Sequence, residues 1–143
     1  MALDWGRRRI GVAVSDPTAT IASPHSAVRH DGDPEELPDG LVELLAELTP
    51  VRIVVGVPRH MDGSEGEMAE EARAFASAVA EASELPVETW DERLSSAAAR
   101  RTLVETGVPR EKRREKGRVD AMAATLVLKA WLSSRRGSGE GPG

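Results

Sequence analysis

Arg52-Ile53-Val54-Val55-Gly56-Val57 is a continuous apolar run that stops at Pro58. A strand with one wet face alternates apolar and polar residues. An unbroken run rich in β-branched residues instead fits a strand buried on both faces, in a sheet covered by helices. Upstream, Leu3-Asp4-Trp5-Gly6 reads as the end of a short strand, and Arg9 to Ser15 as a second one stopped by Asp16-Pro17. A weaker extended segment spans Ile21 to Val28, and Leu41, Leu44, Leu45 and Leu48 share one face of a predicted helix over 37–48. Downstream, Pro58 to Gly66 is a loop rich in glycine and polar residues. Ser64 with Glu67 forms a capping box, predicting a helix start there. That helix lines Met68, Ala72, Phe75, Ala76, Val79 and Ala80 along one side. Pro86 to Trp90 is a fifth strand running into Asp91-Glu92-Arg93. A helix over 95–106 closed by Gly107, a basic loop, and a last helix over 118–134 complete the pattern. The alternation predicts one α/β domain over 1–135, a mixed five-stranded sheet with helices on both faces. Residues 136–143 have the composition of a disordered tail.

Bulk properties narrow the function classes. The 143 residues contain no cysteine, so neither a disulfide framework nor a cysteine zinc site is available. No apolar run approaches the roughly 20 residues of a membrane span. The first residues form neither a basic nor an apolar leader region, so the expected location is cytoplasmic. Nineteen basic and 24 acidic residues give a net charge of −5, which argues against coating nucleic acid by overall basicity. The charge is uneven, however. From Arg100 to Arg118 eight basic residues face three acids, a surplus of +5 that leaves −10 on the rest. A basic strip on an acidic body suits a protein that touches phosphates in one place. It also suits a solvated loop.

Asp4 closes the first strand, Asp91 and Glu92 close the last, and Asp120 sits in the first turn predicted for the terminal helix. In open α/β sheets sites form beyond the strand ends, where loops converge. A helix start tolerates a carboxylate, and the small residues Ala121, Ala123 and Ala124 would let that helix approach the sheet closely. Clustered carboxylates repel one another, and hard divalent ions such as Mg²⁺ or Mn²⁺ remove that repulsion through oxygen ligation. Such ions can activate water and stabilise the leaving oxygen in phosphodiester hydrolysis. Each acid taken singly reads more readily as a solvated surface charge.

Four blocks change that balance. Residues 4–16, Asp-Trp-Gly-Arg-Arg-Arg-Ile-Gly-Val-Ala-Val-Ser-Asp, resemble the N-terminal signature of the YqgF family, the Holliday-junction-resolvase-like and pre-16S ribosomal RNA nucleases. Residues 55–66 resemble its central loop, 90–96 its Asp-Glu-Arg motif and 119–124 its C-terminal motif, in family order and spacing. The resemblance implies an RNase H-like fold and a divalent-metal-dependent nuclease with Asp4, Glu92 and Asp120 as catalytic and metal-holding acids. Asp91 fits less well as a ligand than as a supporting residue. Arg9, Arg93, Ser64, Arg110, Lys112, Arg113, Arg114 and Lys116 are the candidates for nucleic-acid contact. Arg93 reads equally as an ion-pair partner of a neighbouring acid, and Arg9 more readily as a surface charge than as a contact to the substrate backbone. His25, His30 and His60 show no ligand spacing and read as surface residues; the three tryptophans read as packing. Two features depart from the family pattern: Trp5 replaces a smaller or aliphatic residue, and only three residues precede Asp4.

The leading expectation is an endonuclease acting on structured nucleic acid, by resemblance the 5′ flank of precursor 16S rRNA. One alternative is a Holliday junction resolvase, which needs a homodimer to cut two strands symmetrically. Another is a non-catalytic nucleic-acid-binding module of the same fold. Sugar-kinase and actin-like ATPases also begin with an Asp-x-Gly strand. They require a second lobe around the nucleotide, and this chain has neither that length nor a Walker A motif, so no nucleotide cofactor is expected.

Overall fold

The computed structural model describes residues 1–60, 62–94 and 113–137, with side chains in the last helix described from 120 to 135. Five strands, β1 (Ala2–Trp5), β2 (Arg9–Ser15), β3 (Ala22–Arg29), β4 (Ile53–Val57) and β5 (Val87–Asp91), form one sheet in the order β3-β2-β1-β4-β5. Strand β1 is central, antiparallel to β2 and parallel to β4, which is itself parallel to β5. The carboxyl ends of β1, β4 and β5 therefore share one edge with the beginning of β2.

Every residue of β4 is buried, as its unbroken apolar sequence requires of a strand with helices above and below. Alternation along the strands divides the core into two layers. On one face Leu3, Trp5, Ile10, Val12, Ile53, Val55 and Val57 pack against Leu41 of α1 (Asp39–Leu48) and against Ala69, Ala72, Phe75, Ala76 and Val79 of α2 (Glu67–Ser83). On the other, Ala2, Ala13 and Val54 pack against Ala123, Ala124, Val127, Leu128 and Leu132 of α3 (Arg113–Gly137). This is the mixed five-stranded α/β sheet with helices on both faces that the sequence predicts.

Several local expectations are corrected. The helix α2 begins at Glu67 with Gly66 as its N-cap and no side-chain cap bond. Ser64 forms no capping box, because its hydroxyl donates at 2.6 Å to Asp62, a local bond that competes with capping. Helix α3 starts at Arg113, not Arg118, so Arg113, Arg114 and Lys116 lie on helical backbone and Asp120 sits about two turns in. Arginine, lysine and glutamate are good helix formers, and a basic run need not be a loop. His30 is part of the packing: its ring stacks on Trp5 at 4.1 Å, and its Nε2 lies 2.5 Å from the Gly6 carbonyl oxygen. The helix expected over 95–106, Arg110, Lys112 and residues 138–143 of the expected tail lie outside the described residues.

Candidate active site

Asp4 is the natural starting point. Alternation along β1 puts its side chain on the same face as Ala2, the face covered by α3. It is 3% exposed, in a strand whose other residues are apolar. In the sheet Asp4 stands directly between Gly11 of β2 and Gly56 of β4. Both glycines are filled over from outside. A Cβ on Gly56 would lie 2.7 Å from Oε1 of Glu92, and one on Gly11 would lie 2.0 Å from the backbone carbonyl oxygen of Asp120. The Glu92 carboxylate thus rests on one neighbour of Asp4 and the α3 backbone at Asp120 rests on the other. Three acids far apart in sequence meet over one row of the sheet.

Each arrives for a local reason. Glu92 follows β5 directly and opens a single 3₁₀ turn (Glu92–Leu94), which carries its side chain back over the sheet, where it is fully buried. Asp120 lies on the stretch of α3 whose small residues Ala121, Ala123 and Ala124 are buried, so the helix approaches β2 closely, as their size suggests. A helix dipole does not account for Asp120, since that effect fades within the first turn. Its carboxylate instead accepts a 2.7 Å bond from Nε of Arg9, with both side chains largely buried at 17% and 15% exposure.

The donor chemistry fits a hard divalent ion. Three carboxylates supply only oxygen, two of them are buried, and Gly56 leaves beside Glu92 Oε1 the space a Cβ would fill. Among the described residues no group of three or more His, Cys, Asp or Glu side chains is gathered closely enough to hold a metal ion without rearrangement. Asp120, turned onto Arg9, is consistent with that.

A second set of charges flanks the acids. Asp91 accepts bonds from Arg93 through Nε (3.0 Å) and through a terminal nitrogen (2.7 Å), and the Arg93 backbone N–H donates to it at 2.9 Å. These bonds hold the Asp91 carboxyl below the usual aspartate range, with the Arg93 side chain the largest cause. Arg59, from the loop after β4, reaches Glu65 at 3.0 Å and Asp91 at 3.9 Å, and Arg73 of α2 grips Glu65 with two 2.6 Å bonds. The central loop is thereby tied to the strand end that carries Glu92. Ser64 is exposed at the rim of this loop; both its N–H and its hydroxyl donate to Asp62. A cavity of about 550 Å³ lies elsewhere, at the opposite end of the sheet among Met1, Val14, Val54, Leu128 and Trp131.

A family model described as RuvX: Holliday junction resolvase matches residues 1–134. The chain belongs to the RuvX family. This is the YqgF family that the four sequence blocks resemble. Among its relatives, one from Pelotomaculum thermopropionicum is 42% identical over 148 residues, spanning all of this chain and 95% of that relative. One from Myxococcus xanthus is 43% identical, covering 95% of this chain and 88% of that relative. Both carry the provisional name pre-16S rRNA nuclease. Among solved structures, Thermus thermophilus RuvC in complex with a Holliday junction substrate superposes with a TM-score of 0.53 at 19% identity, covering 95% of this chain and 94% of that one. A second Thermus thermophilus RuvC structure gives 0.52 at 17%. At such identity the likeness establishes the shared RNase H-like fold.

In this RuvX-family chain two residues escaped the sequence reading. Arg59 bridges Glu65 and Asp91, and its Nε is buried with no hydrogen-bond partner among the described residues. Nothing in its local sequence distinguishes it from a surface arginine. Gly11 makes room for α3 from inside a strand, and a glycine interrupting a β-branched run was the available signal.

Proposed function

We propose that this chain is a divalent-metal-dependent endonuclease that hydrolyses phosphodiester bonds in structured nucleic acid, with 5′-end processing of precursor 16S rRNA as its task. The observation that carries the reading is the convergence of Glu92 and Asp120 on the two glycines that flank Asp4. The relatives named for pre-16S rRNA support the substrate.

Asp4, Glu92 and Asp120 are the residues that would hold Mg²⁺ or Mn²⁺. When bound, the ion supplies charge neutralisation and Lewis-acid activation of water and phosphate. The protein provides the rest. Burial of Asp4 and Glu92 fixes their carboxylates in a low-dielectric setting, where charge interactions are strengthened. Arg93 stands one residue beyond Glu92 with its side chain 31% exposed, and would exchange Asp91 for a phosphate of the substrate. Arg113, Arg114 and Lys116 lie on the turns of α3 that precede Asp120, so their positive charge sits on the same helix as the third acid.

Resolution of four-way DNA junctions is the second reading, favoured by the description of the matching family model and by the junction-bound RuvC of the same fold. It requires a homodimer. Incubation with Mg²⁺ or Mn²⁺, precursor 16S RNA and a four-way junction separates the two, with Asp4→Asn as control. Trimming of the RNA that disappears in Asp4→Asn is the expected result. Paired cuts in the junction select the resolvase. Binding of either substrate with no cleavage under any divalent ion selects a non-catalytic module. Full activity in Asp4→Asn would sink the site.

A further inference from the structure

Arg9 opens β2 and Asp120 lies 111 residues later, yet their charged groups meet at 2.7 Å in a setting that is more than four-fifths buried on both sides. Arg9 shares its strand face with Gly11 and Ala13, the face that carries Asp4, Gly56 and the α3 backbone. The guanidinium therefore belongs to the acid site and is not a distant surface charge.

We propose that Arg9 is an internal counter-cation of the site, which occupies Asp120 at rest and competes with a divalent ion for it. This rests on the metal-dependent reading above. Asp4, Glu92 and Asp120 bring up to three negative charges to one row of the sheet, a costly arrangement in a buried place. Arg9 offsets one of them and at the same time pins α3 to β2, so the fold does not depend on an ion to keep its helix seated. Drawing Asp120 toward an ion shared with Asp4 and Glu92 would break or stretch a short charge-assisted bond, and would set a dication beside a fixed positive charge. Both effects weaken resting metal binding. An arriving phosphate reverses them, because a guanidinium pairs with phosphate as readily as with carboxylate. Arg9 leaving Asp120 for the substrate removes its competition for the third carboxylate when substrate is present. The same residue then serves nucleic acid and metal in turn.

The opposing possibility is that Arg9 supports Asp120 as a ligand, in which case its removal would weaken metal binding, typically about 10- to 100-fold for a partner behind a ligand. The two roles predict opposite signs. Titration of the full chain with Mn²⁺, read by the EPR signal of the free ion, distinguishes them without any turnover. Arg9→Gln should bind Mn²⁺ about five- to tenfold more tightly than the original protein, tenfold corresponding to about 1.4 kcal/mol. Arg9→Lys, which keeps the charge and loses the planar fork, should fall between them, and it answers the question if Arg9→Gln fails to fold. In an Asp120→Asn background the Arg9 substitution should have no effect. Equal or weaker Mn²⁺ binding in the Arg9 variants overturns the proposal while leaving the nuclease reading intact. Failure of both the original protein and Arg9→Gln to bind Mn²⁺, or Mn²⁺ binding that Asp4→Asn leaves unaltered, overturns both.

Discussion

Substituting Gly11 with alanine isolates the geometric core of this account. The new methyl carbon would lie 2.0 Å from the Asp120 carbonyl oxygen, 2.5 Å from its carbon and 3.1 Å from the Ala121 nitrogen. Ordinary contact needs about 3.4 Å or more, so α3 must retreat by roughly 1.4 Å at this point. The obstacle is backbone on both sides, and no rotamer change relieves it. Overpacking of this kind costs typically 1–3 kcal/mol, and the rigid partner puts the expectation at about 2–3 kcal/mol. At this chain length that is a fall of about 8–12 °C in melting temperature. The same retreat carries Asp120 away from Arg9 and Asp4, and a misplacement near 1 Å can cost about 100-fold in rate. Thermal unfolding followed by circular dichroism and single-turnover cleavage of precursor RNA below the melting point measure the two effects separately. Gly40→Ala is the control, since its Cβ would meet only a methyl of Val28 at 3.1 Å inside α1, and its melting point should stay within about 4 °C of the original. A Gly11→Ala protein with unchanged melting temperature and rate would refute the close docking of α3 on Asp4's row.

Other consequences follow from the charges. The Asp16 carboxylate accepts the backbone N–H groups of Ile21 and Thr20 and the Thr18 hydroxyl; the Ile21 bond, the largest cause, and its companions lower its pKa from 3.8 to about 2. A depressed folded value means the stability it contributes is full above the unfolded pKa near 3.9 and is lost as pH falls toward 2. The carboxyl resonance of Asp16 should titrate near pH 2 by NMR, and a midpoint near 4 would show the turn over 16–21 to be wrong. Arg59→Ala removes the bridge between Glu65 and Asp91, both partly exposed. Stability should change by less than about 1 kcal/mol, while KM for the nucleic acid rises several-fold with kcat less affected. A large loss of stability with KM unchanged would make Arg59 a folding residue only.

Much of the architecture was written in local patterns. The unbroken Ile53 to Val57 run announces a strand with helices on both sides, and it is buried throughout. The leucine spacing of α1 and the small and apolar stripe of α2 specify their buried faces. What the sequence left open are matters of competition between local and distant partners. Ser64 and Glu67 match a capping pattern, but Asp62 sits two residues away and takes the hydroxyl first. His30 looks like an unplaced surface residue until the turn at Gly6 brings a carbonyl to its ring and Trp5 to its face. At the site, the motifs mark the three acids, and the small residues after Asp120 suggest close packing. The pairing of Asp120 with Arg9 spans nearly the whole chain, and no local periodicity encodes it.

The most direct test of the central claim is a crystal of the protein grown with Mn²⁺ and examined by anomalous scattering. A peak is expected over the row of Asp4, within about 2.2 Å of carboxylate oxygens from Asp4 and Glu92 and beside Gly56. A Mn²⁺ bound elsewhere, with Asp4 and Glu92 free of it, would contradict the account.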